Sequence, residues 1–112
     1  MDSQVSITVL PEPLTDLSAV QLRKKIKKES GQGIFLHIID LRKLTRLDTR
    51  TIAEIIRARR GLREVGGALT VVADQREVVK ILSIAGLDRV FGVHENMPKA
   101  FEALGVSELI PA

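Results

Sequence analysis

The chain has no cysteine, no tryptophan and no tyrosine, and its 3% aromatic content is phenylalanine alone. Without cysteine there is no disulfide framework, no thiolate nucleophile and no sulfur-ligated metal site, which suits a reducing compartment and makes the cytoplasm the expected location. Without tryptophan or tyrosine the fold lacks the usual stacking platforms for bases and the usual walls of a ligand cage. No apolar run approaches the roughly 18 residues that a membrane helix needs. The opening residues Met1-Asp2-Ser3-Gln4 have neither the basic start nor the apolar core of a signal peptide. Charge of one sign is also scarce: 17 Lys and Arg against 14 Asp and Glu leave a net +3, too small an excess to argue for nucleic acid.

What is present is the composition of one globular domain. At 112 residues, 45% hydrophobic and 28% charged, the chain is long enough for one core and is expected to form a single domain over 1–112. Val5, Ile7 and Val9 alternate with Ser6 and Thr8, the period of a half-buried strand, before Pro11-Glu12-Pro13 stops it. Leu17, Val20, Leu22 and Ile26 then recur at helical spacing from Asp16, placed to cap the start, to about Ser30, with Gly31 as the end. Gly33 to Leu41 holds a nearly continuous apolar run, as expected of a strand covered on both faces. A second helix is expected from about Thr49 to Val65, with Ile52, Ile55, Ile56, Leu62 and Val65 inward and Gly66-Gly67 as its stop. Ala68 to Ala73 reads as another buried strand. Val78, Ile81, Leu82 and Ala85 mark a third helix ending at Gly86, Val90 to Val93 a short edge strand, and Met97, Ala100, Phe101 and Leu104 a last helix after the turn at Glu95-Asn96. Strands alternating with helices imply an α/β fold: a mixed, mainly parallel sheet of about four strands with four helices.

In such sheets functional groups gather where strand C-termini meet helix N-termini, which directs attention to Leu41–Thr51. Asp48 and Thr49 open the longest helix, and an oxygen of either one serves as an ordinary N-cap. A helix N-terminus also displays free amides and a positive dipole, so it tolerates a phosphate added to Thr49.

Several stretches together resemble the STAS domains, and among them the bacterial anti-sigma-factor antagonists. A buried strand ending Ile38-Ile39-Asp40-Leu41 is followed, after a loop, by the helix-opening pair Asp48-Thr49. Gly66-Gly67-Ala68-Leu69-Thr70-Val71-Val72 looks like the family's helix stop and next strand. Gly86-Leu87-Asp88-Arg89-Val90-Phe91-Gly92-Val93, with Ala100-Phe101-Glu102-Ala103-Leu104, resembles its C-terminal segment. The antagonists usually continue Asp-Ser-Ser/Thr-Gly, whereas here Arg50 stands at the second hydroxyl position and Thr51 at the glycine. The N-terminal hairpin is shortened to Pro11-Glu12-Pro13-Leu14-Thr15-Asp16. An Asp-Thr start also resembles the STAS domains of stress-sensing assemblies, and both subtypes stay open. The resemblance implies a bacterial partner-switching protein without cofactor or catalysis of its own. Its unphosphorylated form would bind an anti-sigma factor or Ser/Thr kinase of the histidine-kinase-like ATPase type, and a Ser/Thr phosphatase would reset it. Thr49 would be the phosphate acceptor, and Arg46, Asp48, Thr49, Arg50 and Thr51 the partner-binding residues.

The remaining features have plainer readings. Gly31-Gln32-Gly33 precedes a strand rather than a helix and is a turn, not a phosphate loop. His37 and His94 have no second ligand at useful spacing and read as structural or surface histidines. Basic clusters at Arg23, Lys24, Lys25, Lys27 and Lys28, and at Arg57, Arg59, Arg60 and Arg63, read first as solvated helix faces. Two rivals to the switch remain: a STAS scaffold subunit of a stress-sensing or transport assembly without a phosphate cycle, and a nucleic-acid or phosphate-ligand binder suggested by a pI near 9.6. The binder would show steep salt dependence.

Overall fold

The computed structural model describes residues 4–106. Strand β1 (Val5–Val9) leads through helix α1 (Asp16–Gly31) to β2 (Leu36–Asp40), and α2 (Thr49–Glu64) leads to β3 (Ala68–Val72). Helices α3 (Arg76–Ile84) and α4 (Leu87–Phe91) then precede β4 (Val93–His94) and α5 (Met97–Ala103). The four strands lie side by side in chain order and every pairing is parallel. Val5 stands opposite Leu36, Leu36 opposite Ala68, and Val71 opposite Val93.

Covering both sheet faces explains the continuous apolar runs. Ile38 and Ile39 are both fully buried but point to opposite sides. Ile39 joins Leu22 and Ile26 of α1, Ile55 and Leu62 of α2, and Val78 and Leu82 of α3. Ile38 joins Val72 and Ala100, with Met97, Phe101 and Leu104 of α5 packed on them. At the β1 edge the first face turns polar: Ser6 donates to Glu29 at 2.6 Å and Lys25 donates to Thr8 at 2.7 Å, tying β1 to α1. Gly67 is dictated by closeness, because a Cβ there would sit 2.5 Å from the carbonyl oxygen of Phe35.

Four expectations change in detail. The α1 cap is Thr15, which forms a capping box with Ser18, so Asp16 is the first helical residue. Val90 and Phe91 end a fifth, short helix instead of opening the edge strand. Leu87 and Phe91, four residues apart, are both buried while Val90 is exposed, and Gly86 and Gly92, both at positive φ, bracket the turn. Val65, expected inward, is 54% exposed at the C-cap of α2, and Ile81 and Ala85 face solvent on or beside α3. The strand expected from Gly33 begins at Leu36, since Gly33 and Ile34 bond back to Ser30 and Glu29 at the end of α1.

Candidate functional site

All strands being parallel, the C-terminal ends of β1, β2 and β3 share one edge with the N-termini of the helices that follow them. The segment between β2 and α2 crosses this edge, and its leucines hold it there. Leu41 N–H donates to the Val72 carbonyl at 2.7 Å, and Leu44 N–H closes a turn onto the Leu41 carbonyl at 3.0 Å. Leu41, Leu44 and Leu47 are buried, whereas Lys43, Thr45 and Arg46 between them are exposed. A second strap comes from the β1–α1 loop: the Glu12 carboxylate accepts from Thr45 N–H at 3.0 Å and from Thr45 Oγ1 at 2.8 Å.

Asp40, the last residue of β2, is 6% exposed and accepts from the Arg42 N–H at 3.0 Å and from the Arg42 guanidinium at 2.9 Å on each oxygen. Burial pushes its carboxyl up, but the Arg42 side chain and N–H more than offset this and hold it below the usual carboxylate range. Asp40 is thus a charged, satisfied anchor at the base of the loop.

Of the two caps that the sequence leaves open, the structure uses Asp48. Its backbone is extended, and its carboxylate accepts from Thr51 N–H at 2.7 Å. The Thr51 side chain and N–H, with Arg50 adding a weaker pull, lower the Asp48 carboxyl below its ordinary value. The bond formed is the one from the Thr51 N–H, since the buried Thr51 Oγ1 has no partner within hydrogen-bond geometry. Thr49 becomes the first residue of α2 and is exposed, as are Asp48, Arg50 and Arg46. Arg50 Nε lies 3.6 Å from Asp16 Oδ1, an open surface pair linking the starts of α2 and α1. Thr51, expected among the partner-binding residues, is 0% exposed, so its side chain belongs to the interior and not to this surface.

The result is an exposed hydroxyl beside a carboxylate, at the start of a 16-residue helix and on a loop fixed by three buried leucines. Among the described residues no cluster of His, Cys, Asp and Glu suits a metal ion, and no helix is long and apolar enough to cross a membrane. His37 is buried within β2 with Nε2 2.9 Å from the Ile34 carbonyl, and burial lowers its pKa, so it is a neutral structural histidine. The links of Glu12 to Thr45 and of Asp16 to Arg50 span more than thirty residues and carry no local signal in the sequence.

Comparison with known proteins agrees with this architecture. The STAS domain family model matches residues 2–100. No curated protein matches the chain. Among solved structures, the NMR structure of the protein TM1081 superposes with a TM-score of 0.82 at 20% identity, over 94% of this chain and 85% of that one. A crystal structure of the same protein, a candidate anti-sigma factor antagonist from Thermotoga maritima, gives a TM-score of 0.72 at 18% identity, over 94% of this chain and 84% of that one. With the four parallel strands, the loop after Asp40 and the Asp48-capped helix in place, the family match over residues 2–100 establishes that this chain belongs to the STAS domain family.

Proposed function

We propose that this chain is a protein-binding switch of the anti-sigma-factor-antagonist kind, working in the cytoplasm of a bacterium and controlled by phosphate on Thr49. The observation that carries the reading is the placement of Thr49: exposed, at the first position of α2, directly after the Asp48 cap. Its unphosphorylated helix end, with Arg46, Asp48 and Arg50 around it, docks on an anti-sigma factor or Ser/Thr kinase of the histidine-kinase-like ATPase type. ATP belongs to that partner, and a Ser/Thr phosphatase restores the hydroxyl. The chain is then substrate and ligand rather than catalyst. Phosphorylation adds about −1.5 to −2 charge beside Asp48, reversing the local sign between Arg46 and Arg50 and opposing docking.

The test is to incubate the protein with the candidate kinase and ATP, map the modified residue, and titrate variants against the kinase. Thr49→Ala is expected to bind and to resist phosphorylation, and Thr49→Glu to bind at least tenfold more weakly with its fold intact. Phosphate on another residue, or equal affinity for Thr49→Glu and the parent chain, sinks the assignment and leaves the scaffold role in its place.

A further inference from the structure

Helices α1 and α2 lie side by side on one face of the sheet and each carries five cations against two acids, a net +3 apiece. The whole chain is only +3, so the rest of it is net negative and the basic charge is concentrated on this one layer. Between the C-terminal halves of the two helices runs a groove of about 300 Å³. Its floor is aliphatic, made by Ile26, Ala58 and Leu62, all buried, and its rim carries Arg23, Lys27 and Arg57. Two of these rim cations share a buried carboxylate: Glu54 lies 3.2 Å from Arg23 Nε and 3.5 Å from Arg57 Nη1. One carboxylate between two guanidiniums, with Lys27 beside them, leaves the rim net positive by two.

Gly61 lines this groove, and no close packing contact requires a glycine there. Glycine is among the poorest helix formers, yet Gly61 lies within α2, is exposed, and a Cβ built there meets nothing within 4 Å. A Cβ there would stand in open space on the wall of the groove that Ala58 and Leu62 also line.

We propose that the groove between α1 and α2 binds a single-chain anionic amphiphile, its alkyl chain on Ile26, Ala58 and Leu62 beside Gly61 and its head group among Arg23, Lys27 and Arg57. An aliphatic floor under a cationic rim matches a ligand that is apolar along its length and anionic at one end. The floor has no aromatic residue to stack a base, which disfavours a nucleic acid. From Arg23 to Ser30 the groove follows α1 for about 10 Å, the reach of a medium-length alkyl chain and too short for a docked helix. Its floor is recessed between two helices, which a flat bilayer surface does not enter. Gly61 is twelve residues from Thr49, about 18 Å along α2, so this site and the Thr49 reading stand or fall separately.

The probe is decanoate, titrated below its micelle-forming concentration into the isotope-labelled protein and followed by amide chemical shifts, with decanol as the neutral control. Saturable shifts centred on Ile26, Lys27, Ala58, Gly61 and Leu62 are expected, with decanol binding at least tenfold more weakly. Gly61→Leu, which fills the groove, and Lys27→Glu, which removes rim charge from an exposed side chain, are each expected to weaken decanoate at least tenfold without lowering the melting temperature. Absence of saturable shifts, equal binding of decanol, or unchanged affinity in both variants overturns the proposal. So do shifts centred on Thr70, Gly92 and His94, which line a second cavity of about 280 Å³ near Arg59 and Arg63. Binding to anionic phosphatidylglycerol vesicles without binding of free decanoate would replace the groove with a membrane-surface role.

Discussion

The Arg42 guanidinium grips Asp40 with two parallel bonds, Nε to Oδ1 and Nη2 to Oδ2, each 2.9 Å long. Only Leu41 separates them, so the clamp bends the chain as it leaves β2 and aims the following loop across the sheet edge. The fork geometry belongs to arginine and is lost with lysine.

Arg42→Leu is therefore expected to destabilise the fold by about 1–3 kcal/mol, because it strands a buried carboxylate on a single N–H donor. Asp40 is held below its ordinary value of 3.8. Its contribution to stability is fully present above that pH and lost as the pH falls through the lower folded value. Urea denaturation at pH 7 and pH 3 checks both statements: the gap between Arg42→Leu and the parent chain should narrow at the acid pH.

Gly67→Ala places a Cβ 2.5 Å from the Phe35 carbonyl oxygen and 3.2 Å from both the Leu62 side chain and its carbonyl. Two of these three contacts are backbone, so the β2–β3 pairing has to shift. A loss of about 1–3 kcal/mol is expected, the cost of overpacking a closed site. Gly61→Ala, inside the preceding helix α2, where nothing is met, should instead raise stability by up to about 1 kcal/mol through helix propensity. Thermal melts of the two variants give opposite signs if this contrast is right.

These positions show what the sequence discloses and what it does not. The period-two alternation at Val5–Val9, the apolar run at Ile38-Ile39 and the glycine stop at Gly66-Gly67 are local patterns, and they gave the element order and the parallel sheet. Val90–Val93 reads as an edge strand because Val90, Phe91 and Val93 are β-type residues on either side of Gly92. What decides it is the burial of Leu87 and Phe91 on one side, a tertiary fact. The Asp48-Thr49 helix start was legible as a pair, but which residue caps and which stays exposed depends on the extended backbone at Asp48. The Glu12–Thr45 strap and the groove beside Gly61 join segments distant in sequence, and no spacing rule announces either one.

His37 supplies a second pH dependence. Burial lowers its pKa from the ordinary 6.5, opposed more weakly by the Ile34 carbonyl and by Glu29, whose carboxylate lies 4.0 Å from Nδ1. The neutral ring is the form the fold accepts. Its contribution is fully present above pH 6.5 and is lost as the pH falls from there through the lower folded value. His37→Gln keeps a donor for the Ile34 carbonyl but cannot titrate. Its melting temperature should be flatter than that of the parent chain just below pH 6.5, and an identical slope for the two would show that His37 is not the titrating group.

Asp48 offers the sharpest separation of structure from recognition, because its two oxygens have different duties: Oδ1 caps α2 through Thr51 N–H at 2.7 Å, while the charge faces solvent beside Thr49. Asp48→Asn preserves an acceptor for Thr51 N–H and asparagine is as good a cap as aspartate, so stability at neutral pH should change by only a few tenths of a kcal/mol. Asp48→Ala removes the cap and is expected to cost about 0.5–2 kcal/mol. The Asp48 carboxyl is held below 3.8, so its charge-dependent share of stability is present above that pH and fades as the pH falls below it. Asp48→Asn should lack that acid-limb loss, whereas Asp48→Ala should be destabilised at every pH. If the charge takes part in docking the kinase, Asp48→Asn weakens binding while its melting temperature stays near that of the parent chain. Calorimetric titration beside thermal melts distinguishes the cases. Loss of binding only in Asp48→Ala, in proportion to its loss of stability, would confine Asp48 to capping and leave Thr49, Arg46 and Arg50 to carry recognition.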